Sequence, residues 1–329
     1  MVLLGAYGAE AIGDPSKAIR CLEFLEQIFN GDKELINWMQ RFCGYCLTGS
    51  TQEQIFLFCY GHGANGKSVF SELLKEIMGD YGIIIAWETL SENKRQAGGA
   101  TPDLAALAGR RFGLCSETED NRALAEALVK GLVSGDSMTV RQLYASPTEL
   151  IPACKLIVTG NHKPIVRGND NGIWRRVRLV PFNRTFSSEE RDPLLLEKLK
   201  NEIPHILAWM VDGCISWQEQ GLANIPEAIR SATEAYQSDQ DIIGTWLDER
   251  TLRDINNETL SGDLYANYKM WCVDNGLKHA SAILFGRRLS ERGFEVRQSN
   301  SKRYWRGLSL KIDSHHYSTQ NYANAKGGF

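Results

Sequence analysis

The amino-acid sequence predicts an α/β protein in which an open sheet carries a glycine-rich loop, with a helical region before it and a basic module after it. Three observations support this fold class. An apolar strand leads into a glycine-rich turn and then a helix, further apolar strands alternate with helices along the middle of the chain, and helical periodicity resumes beyond them. The length of 329 residues suggests two or three domains, since a domain holds roughly 150 residues.

The composition is that of a globular protein. With 43% hydrophobic and 23% charged residues, it excludes collagen, a coiled coil and a disordered chain. The longest apolar runs are far shorter than a bilayer span, and the first residues lack the regions of a secretory signal, so no membrane partner is expected. The eight cysteines are scattered, several of them within apolar stretches, which predicts reduced thiols and a cytoplasmic location in a bacterial host or its equivalent.

Changes in periodicity and charge set the predicted domain boundaries. The stretch from Asp192 to Glu258 has 13 acidic and 5 basic residues, whereas that from Lys278 to Lys311 has 9 basic and 2 acidic residues. The predicted regions are an N-terminal helical region at 1–50 with a turn at 30–32, the α/β core at 51–190, a helical extension at 191–241 with an acidic linker at 236–241, the basic module at 242–312 and a flexible tail at 313–329.

Within the core, an apolar strand begins at Ile55, and the helix after the glycine-rich turn ends at Gly79-Asp80. A further helix is predicted between Asp103 and Ala108. Short apolar runs predict the remaining strands at 83–87, 112–116, 138–144, 156–159 and 177–181.

The glycine-rich turn has the sequence G-H-G-A-N-G-K-S over residues 61–68 and fits G-x-x-x-x-G-K-[ST]. Backbone N–H groups of such a loop and the following helix N-terminus attract a triphosphate. Lys67 is expected to reach the β- and γ-phosphates, and Ser68 to bind Mg²⁺. The alternative is a glycine-rich turn without a ligand, but the agreement of strand, loop and helix favours a nucleoside triphosphate site.

We therefore expect ATP and Mg²⁺ as cofactors. The predicted nucleotide contacts are the residues of the loop and the residue after it: Gly61, His62, Gly63, Ala64, Asn65, Gly66, Lys67, Ser68 and Val69. No catalytic role is assigned to His62.

A carboxylate is needed on a neighbouring strand to hold the metal through water and to polarise the attacking water. Glu117 ends an apolar strand, and Glu119 follows two residues later. Taken alone, such a carboxylate is more often a surface residue, and its position about fifty residues after the loop favours the catalytic role.

Polar residues also follow the later strands. Asn161 ends the buried strand that begins at Lys155, and it can orient the lytic water; a simple turn before Pro164 is the alternative. Arg175 and Arg176 precede the last apolar strand, where they are either solvated or supplied to a neighbouring subunit's nucleotide.

The basic module resembles a winged helix in its predicted elements. Ser281 caps a helix over 282–292, and two strands at 294–298 and 304–310 form a basic hairpin. A solvated basic face that packs on the rest of the protein is the alternative. The residues expected to face DNA phosphates are Arg287, Arg288, Arg292, Lys302 and Arg303.

Several motifs in order along the chain resemble the superfamily 3 helicase domain, and most closely the helicase half of phage and plasmid primase–helicases, which includes relatives of the poxvirus primase. The resemblance covers about residues 20 to 310. Its motifs are F-C-G-Y-C-L-T-G at 42–49, G-A-N-G-K-S at 63–68, S-E-T-E at 116–119, K-G-L-V-S-G-D at 130–136, R-Q-L-Y at 141–144, T-G-N-H-K-P at 159–164 and I-W-R-R at 173–176.

This resemblance implies an AAA+-like core that works as a hexameric ring and moves along one DNA strand. It makes Glu117 the motif B carboxylate, Asn161 the sensor, and Arg176, or less favourably Arg175, the arginine finger. It also places a DNA-contacting hairpin between Gly135 and Pro152. The expected DNA contacts in and before this hairpin are Lys130, Arg141 and Tyr144.

The sequence thus predicts an ATP-dependent replicative DNA helicase of a phage, plasmid or integrated mobile element, acting on single-stranded and forked DNA as a ring. Many relatives carry an N-terminal primase domain for which this chain has no room. The chain is therefore either a stand-alone helicase or a fragment of a longer protein, and a primase domain or protein is a candidate partner. The rival hypotheses are an ATP-switched origin-binding initiator and, less favoured, a P-loop kinase for a small molecule.

Overall fold

The computed structural model describes residues 13–92, 99–116, 122–168, 171–299 and 301–311. The chain divides into two compact units, Met1–Gln240 and Asp241–Phe329. Among the described residues, no helix has both the length and the apolar character needed to cross a membrane.

A five-stranded parallel sheet forms the centre of the first unit. Its strands are β1 (Phe56–Tyr60), β2 (Gly82–Ile85), β3 (Phe112–Ser116), β6 (Lys155–Gly160) and β7 (Val177–Pro181), in the order β2-β3-β6-β1-β7. A separate antiparallel hairpin consists of β4 (Met138–Val140) and β5 (Thr148–Leu150). Because all five strands of the sheet are parallel, their carboxyl ends lie along one edge.

Helices cover both faces of this sheet. They are α1 (Ile19–Ile28), α2 (Lys33–Cys46), α3 (Lys67–Met78), α4 (Glu126–Ser134), α5 (Leu195–Lys200), α6 (Ile203–Gln220) and α7 (Glu227–Gln240). Single helical turns occur at Trp87–Leu90, Pro102–Ala105 and Asn171–Trp174, and 3₁₀ turns at Pro15–Lys17 and Gly79–Tyr81.

The alternation of side chains along β1 explains the two cores. Leu57 and Cys59 join the core formed with α1, α2, α3 and α6, whereas Phe56 and Phe58 join the core on the opposite face, which includes Tyr236 of α7. Successive strand residues point to opposite faces, and all four of these side chains are buried. An apolar run such as this one is therefore typical of a strand covered on both sides.

Local capping explains where the first helices begin. The predicted turn separates α1 from α2, with Gly31 at a φ of +74°, and Asp32 Oδ1 accepts a hydrogen bond from Leu35 N at 3.0 Å. At the start of α1, Glu202 accepts hydrogen bonds at 3.0 Å from the backbone N–H groups of Arg20 and Cys21. The carboxylate of a distant residue thus caps α1, which no local pattern predicts.

Two predicted elements of the first unit differ in the structure. The strand expected at 138–144 is the three-residue β4, and the strand expected at 83–87 ends at Ile85, because Trp87 begins a helical turn with its ring buried. The acidic linker predicted at 236–241 is wrong, since α7 continues to Gln240. Tyr236 is buried in the core beside β7, and only the other face of this polar helix meets solvent.

The second unit contains α8 (Ile242–Arg250), β8 (Thr251–Leu260), α9 (Ser261–Asp274), α10 (Ala282–Glu291), β9 (Val296–Ser299) and β10 (Lys302–Leu310). The strands form an antiparallel sheet in the order β8-β10-β9, and Trp246, Tyr268 and Phe285 form the centre of its core. Ser281 caps α10 as predicted, accepting from Leu284 N at 3.3 Å. Sequence analysis missed β8, which is mostly exposed and is defined by its pairing with β10.

The close approach of α2 and α6 depends on two glycines. A Cβ at Gly44 would lie 2.1 Å from Cys214 N, and one at Gly213 would lie 2.2 Å from Gln40 O. Both contacts involve backbone atoms, so a side chain cannot be accommodated by a rotamer change.

We predict that Gly44→Ala lowers the free energy of unfolding by about 1–3 kcal/mol or more, because the two helices must separate. The matched control is Gly131→Ala in α4, where the new Cβ would lie 3.5 Å from Met138 Cε. That variant should be neutral or up to about 1 kcal/mol more stable, from helix propensity. Urea titration of both variants measures the difference, and equal effects would contradict the proposed packing.

Candidate functional site

The glycine-rich loop lies at the carboxyl end of β1, and Lys67 is the first residue of α3. Gly66 has a φ of +86°, and a Cβ at this position would lie 2.6 Å from Ile28 Cγ2 of α1. Glycine is therefore required here both by backbone conformation and by the packing of α1 behind the loop. The arrangement directs the N-terminus of a 12-residue helix towards the edge of the sheet where the loop lies.

The side chain of Lys67 joins the loop to the neighbouring strand β6. Its ammonium donates hydrogen bonds to the carbonyl of Gly61 and, at 3.1 Å, to Oδ1 of Asn161. Burial lowers the pKa of Lys67. Asn161 directly follows β6, so the structure brings two of the predicted site residues together at the carboxyl edge of the sheet.

A buried asparagine, Asn65, stabilises the loop through hydrogen bonds. The amide of Asn65 donates to His62 O at 2.7 Å and to Phe182 O at 3.3 Å, and its Oδ1 accepts from Lys67 N at 3.3 Å. Phe186 N also donates to Ala64 O at 2.8 Å. The segment after β7 thus holds the loop in shape through Phe182 and Phe186, and sequence analysis missed this role of 182–186 because the segment is distant from the loop in the chain.

Ser68 and His62 are exposed at the loop, so the Ser68 hydroxyl is available to a metal ion. The predicted carboxylates Glu117 and Glu119 lie outside the described residues. β3 ends at Ser116, whose Oγ lies 3.2 Å from Thr159 Oγ1 of β6, so the chain leaves β3 at the same edge as Asn161. Within the described ranges, no group of three or more His, Cys, Asp or Glu residues could hold a metal ion.

The two predicted arginines lie at the opposite edge of the sheet. Arg175 and Arg176 precede β7 at its amino end, and five strand residues at ~3.3 Å each separate that end from the edge that carries the loop. The Arg176 guanidinium is buried and donates to Gly172 O at 2.5 Å and to Ser134 Oγ at 2.8 Å. Arg175 is exposed.

These contacts argue against Arg176 as the residue offered to a neighbouring subunit. Arg176 is only 8% exposed, and its guanidinium is engaged within its own chain, where it also donates to Gln54 Oε1 at 3.3 Å. Arg175, which sequence analysis placed second, has the accessible side chain, and it donates to Gln54 Oε1 at 3.4 Å.

A hairpin forms within the predicted range 135–152. Residues 142–149 are exposed; they include the large hydrophobic residues Leu143 and Tyr144, which are 65% and 103% exposed, and Tyr144 has a φ of +61°. Arg141 is half-buried and its N–H donates to Thr101 Oγ1 at 3.0 Å, while Lys130 in α4 lies 4.0 Å from Glu126. The exposed end of the hairpin therefore carries an apolar and an aromatic side chain beside polar ones, and residues 142–149 include no lysine or arginine.

Ion pairs neutralise much of the charge in the second unit. Arg287 and Arg288 both pair with Glu291, Arg292 pairs with Asp241, and Arg297 and Arg306 share Glu258. Arg288 is buried, so it does not lie on the exposed basic face where it was predicted. Lys302 and Arg303 at the start of β10 are exposed, and neither has an acidic partner among the described residues.

Comparison with known proteins identifies relatives of the chain. Residues 59–176 match a family of unknown function (DUF5906). The chain is similar to "Putative helicase 022R" of Frog virus 3 (isolate Goorha), 26% identical over 274 residues, and to "Putative helicase L207/L206" of Acanthamoeba polyphaga mimivirus, 27% identical over 271 residues. It is also similar to "Putative primase C962R" of African swine fever virus (isolate Pig/Kenya/KEN-50/1950), 23% identical over 244 residues.

These matches cover 78%, 77% and 68% of this chain but 28%, 28% and 25% of the relatives, in the same order. The chain therefore spans about a quarter of the length of the curated relatives that it matches. Their names confirm the resemblance to helicases and primases that the sequence motifs predicted.

Two solved structures have a similar fold. The apo structure of the C-terminal region (305–718) of NrS-1 has a TM-score of 0.56 at 12% identity, and the match covers 88% of this chain and 75% of that one. The A form apo structure of the NrS-1 C-terminal region has a TM-score of 0.54 at 11% identity and covers 87% and 74%. At 11–12% sequence identity, these matches show similarity of fold alone.

We predict that Gly66→Ala abolishes nucleotide binding, because the new methyl group is incompatible with the positive φ and with Ile28. Gly63→Ala is the matched control, since a Cβ at Gly63 meets nothing within 4 Å. It should change the affinity much less. Titration with a fluorescent ATP analogue measures both, and equal affinities would show that the loop does not bind the phosphates.

Proposed function

We propose that this chain is the ATP-hydrolysing part of a replicative DNA helicase. The observation that carries the proposal is the contact between Lys67 and Asn161, which places a loop-held ammonium and a strand-end amide at one edge of a parallel sheet. The names of the viral relatives support the same function, although those relatives are much longer proteins.

The proposed chemistry assigns one task to each group at this edge. The loop N–H groups and Lys67 bind the triphosphate, and the exposed Ser68 hydroxyl would hold Mg²⁺, which would supply positive charge that neutralises the phosphates. Glu117 polarises the attacking water, and Asn161 orients that water. In the absence of phosphate, the Lys67 ammonium is held by neutral oxygens of Gly61 and Asn161, which a phosphate can replace.

We also propose that the protein works as a ring, because an arginine at the amino edge of the sheet cannot meet the nucleotide at the carboxyl edge of the same chain. The exposed Arg175 is the finger that we assign to the neighbouring subunit's nucleotide, and a hexamer is the expected assembly. In this assignment Arg176 holds the chain segment before β7 in place through Ser134, Gly172 and Gln54.

DNA contacts are assigned to two exposed features. Tyr144 and Leu143 at the hairpin end offer an aromatic and apolar surface suited to the bases of a single strand. The second unit has the element order helix, strand, helix, helix and hairpin that a winged helix requires. Its exposed cations Lys302 and Arg303 lie at the turn between β9 and β10, the position of a wing that meets DNA phosphates.

The proposed function predicts ATP-dependent strand displacement. The chain should hydrolyse ATP faster with single-stranded DNA and separate a forked duplex, whereas Lys67→Ala should do neither while retaining its fold. A forked-duplex displacement assay beside an ATPase assay tests this. DNA-stimulated hydrolysis without displacement would favour an initiator, and hydrolysis that ignores DNA would favour a small-molecule kinase.

Substitutions of Arg175 and of Arg176 should have different effects. Arg175→Ala should bind ATP normally but hydrolyse it on the order of a thousandfold more slowly, as when other arginine fingers are removed. Mixing it with Lys67→Ala subunits should restore part of the activity, because each subunit supplies the half that the other lacks. Arg176→Ala should instead lower the melting temperature, since it removes buried hydrogen bonds. Normal turnover by Arg175→Ala would refute this assignment.

The exposed cations of the second unit should contribute to duplex binding. Replacing Lys302 and Arg303 with Ala should weaken duplex binding and reduce the salt slope by about two, roughly one per lost phosphate contact. Replacing Arg297 and Arg306, which share Glu258, should have a smaller effect. Fluorescence anisotropy over a salt series measures both, and an unchanged slope in the first variant would indicate a packing role instead.

A further inference from the structure

The segment after Asn161 is held from two sides. Towards α7, the Tyr236 hydroxyl donates to Pro164 O, and Val166 N donates to Gln240 Oε1 at 3.1 Å. Towards α4, Gly168 N donates to Glu126 Oε1 at 2.6 Å. The turn that carries Asn161 therefore has fixed neighbours on both sides.

Lys163 lies two residues after Asn161 in this segment. Its ammonium pairs with Asp239 Oδ2 of α7 at 3.0 Å, and it lies 5.4 Å from the ring centre of Tyr60 and 5.5 Å from that of Tyr236. Tyr60 is the last residue of β1 and directly precedes Gly61. One side chain thus joins the end of the strand before the loop, the end of α7 and the turn of Asn161.

We propose that Lys163 is a positioning residue for ATP hydrolysis. Its ion pair with Asp239 and its place between two tyrosine rings fix the turn so that the Asn161 amide faces Lys67 and the attacking water. This inference rests on the proposed function, and it assigns Lys163 and Asp239 a task that neither the loop motif nor the sensor position implies.

The effect of this ion pair on catalysis can be distinguished from its effect on stability. The side chains of Lys163 and Asp239 are 23% and 62% exposed, and ion pairs of this kind contribute little to stability. In contrast, displacing a catalytic group by about 1 Å can slow a reaction by up to about a hundredfold. Removing the pair should therefore affect turnover far more than it affects folding.

The test compares five variants of the full chain, one of them a control, by steady-state ATPase assays and by their melting temperatures. Lys163→Met and Asp239→Asn should each lower kcat by about tenfold or more with KM within about twofold of the parent, and the double variant should be no slower than either. Lys163→Arg should recover most of the rate, because it keeps the charge. The control Lys198→Met removes a lysine whose side chain is 53% exposed and pairs with Asp192 at 2.6 Å, and it should leave the rate unchanged.

The outcomes separate this inference from the proposed function. If the parent hydrolyses ATP and Lys67→Ala does not, but Lys163→Met turns over normally, the positioning role is wrong and the proposed function stands. A loss of kcat that matches a large fall in melting temperature, or that Lys163→Arg does not recover, would also overturn it. If the parent is no faster than Lys67→Ala, the proposed function and this inference fail together.

Discussion

The parallel alignment of the five strands is the constraint on which the candidate site depends. Because every strand runs the same way, the chain leaves β1, β3 and β6 at one edge, where Gly61, Ser116 and Asn161 lie. The same alignment places whatever precedes a strand at the other edge, and Arg175 is there for that reason. Residues at both edges can serve one reaction only if a second chain supplies one of them, so the proposed ring follows from strand direction together with the proposed chemistry.

Packing around the loop gives it a defined shape before any phosphate is bound. Asn65 joins the loop to Phe182 beyond β7, and Ile28 of α1 closes the space behind Gly66. A loop held in this way has less conformational entropy to lose when it binds a ligand. The N-terminal helices therefore support the site directly, although none of their residues belongs to the glycine-rich motif.

Sequence patterns predicted those features that depend on short-range periodicity. The strand before the loop, the turn between α1 and α2, and the strand that ends at Asn161 all combine apolar runs with local turn residues. The features that sequence patterns could not predict depend on partners far away in the chain. The strand β8 is defined by β10, Glu202 caps α1 from a distance, and the polar end of α7 is helical because Tyr236 is buried beside β7.

The two pairs of adjacent arginines show how secondary structure divides a basic run. In the turn before β7, Arg176 is directed inwards to Ser134 and Gly172, while Arg175 meets solvent. In α10, successive residues are about 100° apart, so Arg288 is buried while the side chain of Arg287 remains 66% exposed. Counting charges along the sequence gives all four arginines equal weight as ligand contacts. The structure instead assigns one member of each pair to holding the fold, which halves the number of cations that each run can offer to a phosphate.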